Sequence, residues 1–369
     1  MSRVLFLQFF MEVVATAAIF AVLPRIARRG LLFGVYVGAE GWSSAAARAV
    51  TTAWYRWMAM VTVGSLVLFA AAARWWSETG AFLAGSLVLV FGCLFAYFRS
   101  HYAARRLALD TPPPAVTLLD DEPPAAIGIP LLTVALVVLA VAGMCAYAMA
   151  HYGEMPERIP VHFDAEGHPD GWASKSVFQV LLLPAMTLVF GSFLGVMAVM
   201  LLHAKRGLRH PGTVASAEAG RRFRSAISRF LCGMTVAVTG MFALIHVGQV
   251  RAALGDEASL EPLVFVVAIG MTALSVAGVV YLMARYGQAG ARLEEAGGAA
   301  SGELTDGLAD NRFWKWGLFY INREDPSIFV EKRFGLGYTI NLGNPRAIAL
   351  IVGFFLALIA LVVVAAVLG

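Results

Sequence analysis

Charge is what this sequence has least of. Of its 369 residues only 14% are Asp, Glu, Lys or Arg, while 59% are hydrophobic. Soluble globular domains carry about 25% charged residues, so a water-soluble fold is excluded. Cysteine is almost absent too. Cys93, Cys145 and Cys232 all fall inside apolar runs, which leaves no disulfide framework and no CxxC metal site. The motifs of common chemistries are also missing: there is no HExxH, no GxSxG and no Walker loop. The Gly-x-Gly at Gly335 and Gly337 is too short for a nucleotide loop and reads as a tight turn. Ser174 and Lys175 are adjacent, but adjacency alone makes no Ser-Lys dyad. No catalytic residue is assigned, no cofactor or bound metal is expected, and the chain is expected not to be an enzyme.

What the sequence has in abundance is long apolar runs, with a mean hydropathy of +0.74. A helix needs about 20 predominantly apolar residues to cross the hydrocarbon. Eight runs of that kind occur, at Val4–Leu23, Trp57–Ala73, Gly80–Phe98, Gly128–Met149, Val177–Leu202, Phe230–Val250, Pro262–Ala284 and Ala347–Leu368. They are continuous, without the alternation of barrel strands. The first is too long for a signal-peptide core and lacks a small-residue cleavage pattern, so it is expected to remain as a span. The expected fold is an all-α polytopic membrane protein. No internal repeat is visible, which argues against an inverted-repeat transporter.

The basic residues predict the orientation. All 28 except Arg3, Arg74, Arg158, Lys175 and Arg251 fall in four loops, at residues 24–56, 99–127, 203–229 and 285–346. The positive-inside rule makes those loops cytoplasmic and puts both termini outside a bacterial inner membrane. The net charge of +4 then reflects inner loops facing anionic lipid, and nucleic acid is not an expected partner.

The chain divides into an N-terminal three-helix region with basic loops and a Pro-rich linker (1–127), a helix–loop–helix unit (128–202) and a third hairpin of spans (203–284). A cytoplasmic segment (285–346) and the last span (347–369) follow. Asp110–Pro124 is Pro-rich and acidic, the composition of a semi-rigid linker. Gln288–Gly307 is rich in Gly, Ala and Glu and reads as a flexible tether with a short helical piece. Arg312–Pro345 is aromatic and basic, which predicts two short strands about a turn at Asn322–Pro326, held against the inner membrane face. Trp314, Trp316, Tyr320, Lys332 and Arg333 are its candidate docking residues for a cytoplasmic regulator.

Three places hold polar groups of functional interest. Arg158-Ile159-Pro160-Val161-His162-Phe163-Asp164 alternates like a strand, with Val161 and Phe163 on one face and His162 and Asp164 on the other; turns follow at Gly167, Pro169 and Gly171. Arg158, His162, Asp164, Asp170, Trp172 and Lys175 are the candidate ligand-binding set of this outer loop. His162 and Asp164 are expected to hydrogen-bond loop backbone and hold its shape. His162, Asp164, His168 and Asp170 are also suitable donors for zinc, but their spacing matches no closed zinc motif. Glu12 lies midway along the first span, where an acid costs about 2.5–3.5 kcal/mol on insertion scales, so it must face the bundle or water. His246 and Gln249 in the sixth span are expected to make interhelical hydrogen bonds.

Pro156 through Ala165, with Gly167, Pro169-Asp170-Gly171-Trp172 and Ser174-Lys175, resembles domain of unknown function 1648, which typifies the SdpI-like membrane proteins. Phe33-Gly34-Val35-Tyr36-Val37 is similar to an FGV-x-V loop of relatives sharing this architecture, with Tyr36 where a basic residue is usual and Gly38 where Pro is common. Trp314 to Pro345 resembles domain of unknown function 5808, chiefly at Gly317-Leu318-Phe319-Tyr320, Asp325-Pro326 and Lys332-Arg333-Phe334-Gly335. The resemblance implies an immunity and signalling protein. Such a protein guards the cell against a secreted, membrane-damaging peptide and relays its presence by holding a repressor at the membrane. It brings no catalytic residues.

The leading expectation is therefore a non-enzymatic immunity or sensor protein, with the bilayer, an extracellular peptide or lipid-like ligand and a cytoplasmic regulator as its partners. The alternatives are a proton- or ion-coupled transporter using Glu12 and a metal-dependent membrane enzyme at His162 and His168.

Overall fold

Ser44, Ser77 and Ser176 each stand just ahead of a long apolar stretch, and each caps the helix that follows. Their hydroxyl oxygens accept from the amides of Ala47, Gly80 and Gln179, each at 3.1 Å, satisfying one of the donors a helix start leaves open. The computed structural model describes residues 3–109, 127–163, 169–204, 209–210, 214–256, 261–296, 303–304, 309–335 and 337–368. Asp164, Gly167, His168 and the Pro-rich linker lie outside the described residues.

Within them the chain runs α1 (Arg3–Ile26), β1 (Leu31–Leu32), β2 (Val35–Tyr36), α2 (Gly38–Ser43), α3 (Ala45–Trp75), α4 (Glu78–Arg105) and α5 (Gly128–His151). Next come β3 (Arg158–Phe163), β4 (Pro169–Ser174), α6 (Val177–Leu202), β5 (Arg209–His210), α7 (Val214–Ala253), α8 (Glu261–Tyr286) and α9 (Ala291–Ala296). The remainder is β6 (Glu303–Leu304), β7 (Trp314–Lys315), β8 (Phe319–Tyr320), β9 (Phe329–Glu331), β10 (Tyr338–Ile340) and α10 (Pro345–Leu368). Eight described helices are long and apolar enough to cross a membrane, and they coincide with the eight runs. The chain is a multi-pass membrane protein, and its sheets are all two-stranded antiparallel pairs. The second span is longer than its apolar run: Ser44 and the alanines behind it start α3 at Ala45, so the helix reaches 31 residues.

Two compact units form, each discontinuous in sequence. The first comprises residues 1–123, 204–224 and 276–347. Its core joins Phe9 and Val13 of α1, Trp54 and Phe69 of α3, and Leu89 and Tyr97 of α4 to Phe33 of the β1–β2 turn. Phe9 stacks on Phe69 with ring centroids 4.2 Å apart. The second unit comprises residues 124–203, 225–275 and 348–369. There Met155, just before β3, and Ile159 within it pack with Ala148 of α5, Val180 of α6 and Val250 of α7. Phe354 of α10 stacks on Phe193 of α6 at 4.0 Å.

Two expectations for the segment after α8 change. Gln288 is not the start of a loose tether but is buried. Its side-chain oxygen accepts from the Arg28 amide at 3.1 Å, and its side-chain nitrogen donates to the Lys332 carbonyl. The aromatic segment forms two hairpins, β7–β8 and β9–β10, rather than one pair of arms about Asn322–Pro326. That stretch is instead a stapled connector. The Asn341 carboxamide donates to the carbonyls of Asn322 (2.8 Å) and Asp325 (2.9 Å) and accepts from the Asn322 amide (3.1 Å).

Candidate functional site

The hairpin β3–β4 carries the densest set of candidate residues. Its base is fixed: Ile159 is buried against α6 and α7, and Gln249 of α7 donates its side-chain N–H to the Pro160 carbonyl at 3.2 Å. The register then shifts on both sides of His162, a bulge that breaks the expected alternation. Ile159 and Pro160 are buried together, while His162 stays exposed. Gly171 lies opposite His162, and a Cβ there would stand 2.8 Å from that of His162. Only glycine lets the strands close at this point.

Among the described residues the partner of His162 is a side chain, and the loop backbone at 164–168 lies outside them. The His162 Nδ1 meets the carboxylate of Asp170 across the hairpin, and both side chains are exposed. Lys175 turns inward, with Nζ donating to the Met155 carbonyl at 2.7 Å and lying over the Tyr152 ring at 5.1 Å. It fastens the foot of the hairpin. Arg158 and Trp172 share the wall of one cavity with Ser174 and Gln179. Among the described residues no group of three His, Cys, Asp or Glu side chains could hold a metal ion, and Asp164 and His168 lie outside them. Replacing Gln249 with Leu removes the hydrogen bond that ties α7 to β3, at an expected cost of about 1 kcal/mol. Amide exchange across residues 158–174 should then quicken while α5 stays protected; an unchanged hairpin would contradict this anchoring.

The second site lies in the first unit, where segments far apart in sequence meet at two turns. Phe33 and Gly34 between β1 and β2 have φ of 45° and 78°, and Trp316 and Gly317 between β7 and β8 have φ of 54° and 70°. These are the left-handed values of a type I′ turn; β1–β2 closes over two residues, while β7–β8 closes over three, 316–318. The turns touch glycine to glycine: a Cβ on Gly34 would lie 2.6 Å from the Gly317 carbonyl oxygen. Tyr97 of α4 spans both, its hydroxyl 2.8 Å from the Trp316 carbonyl and 3.3 Å from that of Phe33. His101 Nδ1 lies 2.9 Å from the Phe33 carbonyl.

Asn311 supplies the missing strand partner for Tyr36, its carboxamide accepting from the Tyr36 amide at 3.0 Å and donating to the Tyr36 carbonyl at 3.2 Å. Arg333 Nη1 donates to the Asn311 side-chain oxygen at 2.6 Å, and its guanidinium lies over the Trp314 ring at 5.0 Å. Arg28 pairs with Glu331 at 2.9 Å, both side chains nearly inaccessible. Nothing in the sequence marked Asn311 or Gln288, because neither lies in an apolar period or a motif.

The docking set therefore divides. Trp314, Tyr320 and Arg333 are buried and build the cluster, with the Tyr320 hydroxyl donating to Asp325 at 3.0 Å. Trp316 stays exposed beside Phe319. Lys332 is half-buried, and burial holds its ammonium below the ordinary lysine range. The Asp310 carboxyl is lowered by its hydrogen bonds from Arg312. For Lys332, the folded state releases its proton before the unfolded state does. Its contribution to stability therefore rises with pH from the depressed value up to the usual range near 10.4. Wild type should gain stability relative to Lys332→Met across that alkaline window; parallel pH profiles would contradict the burial.

The intramembrane polar residues are both engaged. Ser86 Oγ donates to Glu12 at 2.8 Å, so the acid of α1 has a hydroxyl partner on α4. His246 is fully buried, with Nε2 3.2 Å from the Met144 carbonyl of α5. That contact is interhelical as expected, whereas Gln249 reaches the hairpin instead. The three cysteines are free.

The comparisons with known families fall on these two places. Residues 139–188 match the domain of unknown function DUF1648, which covers β3, β4 and parts of α5 and α6. Residues 323–348 match the family of unknown function DUF5808, which covers β9, β10 and the start of α10. No curated protein and no solved structure matches the chain.

Proposed function

We propose that this membrane protein is a non-enzymatic sensor of the SdpI-like immunity type in a bacterial inner membrane. The β3–β4 hairpin recognises a peptide or lipid-like ligand from outside, and the turn cluster around Gly34 and Gly317 serves a cytoplasmic partner. The observation that carries the reading is how the hairpin uses its residues. Its buried side chains and Lys175 fix the base, and this leaves Arg158, His162, Asp170 and Trp172 exposed on a bulged ribbon. Anchored elements presenting exposed aromatic and charged groups are what recognition needs, since a fixed base leaves less ordering to do on binding. The distribution of basic residues supports the orientation, because the loops carrying Arg28 and Arg333 are basic and the hairpin is not. In the cluster, Trp316 and Phe319 are the exposed aromatics available to a regulator or to the inner lipid face.

A survival assay tests the reading. A sensitive bacterial host expressing the intact protein is challenged with a panel of membrane-active peptides, alongside a His162→Ala/Asp170→Ala variant shown to reach the membrane. Protection by the intact protein that the variant loses supports recognition through the hairpin. Equal protection by both would remove the hairpin from the function, and protection by neither would remove the immunity role.

A further inference from the structure

We infer that the cavity between β4 and the far end of α10 binds an anionic amphiphile, with its acid group on Arg158 and its chain along α10. The cavity measures about 490 Å³ and is chemically two-sided. On the hairpin side it presents Arg158, Trp172 and Ser174, with Gln179 from the first turn of α6. On the other side stand Val362, Ala365 and Ala366 of α10. Their spacing of three and four places them on one helix face, and the two alanines keep that wall far enough back to leave the space open. The single ionic group in the lining is a cation, so the charge that complements it is negative. Arginine is the side chain best shaped for a phosphate or carboxylate, which it holds with two parallel hydrogen bonds.

The position in the fold selects an amphiphile over a free anion. α10 is the most apolar span, with hydropathy 3.2, and Val362 to Ala366 come after about 18 residues of it, a length that nearly crosses the hydrocarbon. The cavity therefore lies at the membrane–water boundary. Trp172, 49% exposed at its rim, is the residue type that settles at that depth. The volume suits a head group and its first methylenes, and Val363 and Val367 on the open side of α10 are exposed where the rest of a chain would run.

This assignment deepens the reading of the hairpin as a recognition element by naming the chemistry it takes. Binding is measured apart from protection, so either claim can fail while the other stands. The full-length protein in a neutral detergent is titrated with phosphatidylglycerol and with phosphatidylcholine of the same chains, and retention is read by native mass spectrometry. Phosphatidylglycerol should bind about tenfold more tightly, the scale of one charge-assisted contact. Arg158→Gln should erase that preference, while Arg158→Lys should keep part of it. Ala365→Trp fills the cavity without touching the charge and should weaken both lipids. Equal binding of the two lipids by wild type, or binding unchanged in Ala365→Trp, overturns the site. Displacement of phosphatidylglycerol by millimolar inorganic phosphate would show a plain anion site and overturn the amphiphile. Displacement by an equimolar acidic peptide, with no lipid preference in the wild type, would give the cavity to a peptide instead.

Discussion

Gly34→Ala and Gly317→Ala should each destabilise the protein by about 2–5 kcal/mol, large effects for the addition of one methyl group. Two costs combine. Each glycine has a positive φ, 78° and 70°, which costs an L-residue about 1–2 kcal/mol. Each new Cβ would also meet backbone of the opposite turn, at 2.6 Å for Gly34 and 2.9 Å for Gly317. Backbone cannot rotate away as a side-chain tip can, so the turns must separate and the Tyr97 bridge must stretch. Thermal unfolding in detergent, followed by tryptophan fluorescence, is the readout. Gly64→Ala in α3 is the control, since a Cβ there meets nothing within 4 Å and alanine favours helix. If all three variants melt together, the turn-to-turn contact is not what holds the unit.

Breaking the Arg28–Glu331 pair is the second large effect. Its side chains are only 7% and 6% exposed, so removing one partner takes the counter-charge from a group held away from water. Glu331→Gln should cost about 3–5 kcal/mol, the range found when buried pairs lose one member. Arg28→Met/Glu331→Met should recover much of that loss, because two charges then escape desolvation together. A double-mutant cycle reads the coupling directly, and simple additivity of the two single losses would show that the pair does not interact. Arg28 also donates from Nε to the Gln288 carbonyl at 3.3 Å, so some of its loss will remain in the double variant.

How much of this was legible in the sequence depended on whether the signal was local. The spans were, because apolar length alone decides which helices can cross a bilayer. Strand β3 was legible as well, but β4 was not: Pro169 and Gly171 read as turns and instead lie within the strand. The bulge was not legible either, and without it the cross-strand pairing of His162 with Asp170 has no visible register. Composition misled at Trp314, Tyr320 and Arg333: aromatic and basic residues suit an interface, but the same residues build a core when a guanidinium lies over an indole ring. Asn311 bonding Tyr36 across 275 residues leaves no periodic trace at all. The FGV segment and the aromatic segment were each singled out, yet nothing in either announced that they meet.

In the proposed function the β3–β4 hairpin receives its ligand outside and the Gly34–Gly317 cluster meets its partner in the cytoplasm. The direct test is single-cysteine labelling in intact bacteria, in a background with Cys93, Cys145 and Cys232 replaced by alanine. His162→Cys and Lys315→Cys put one thiol on each exposed element. A membrane-impermeant maleimide should label position 162 in intact cells and position 315 only after the membrane is opened. Labelling of position 315 in intact cells, or protection of position 162 until lysis, would contradict recognition from outside and transmission within.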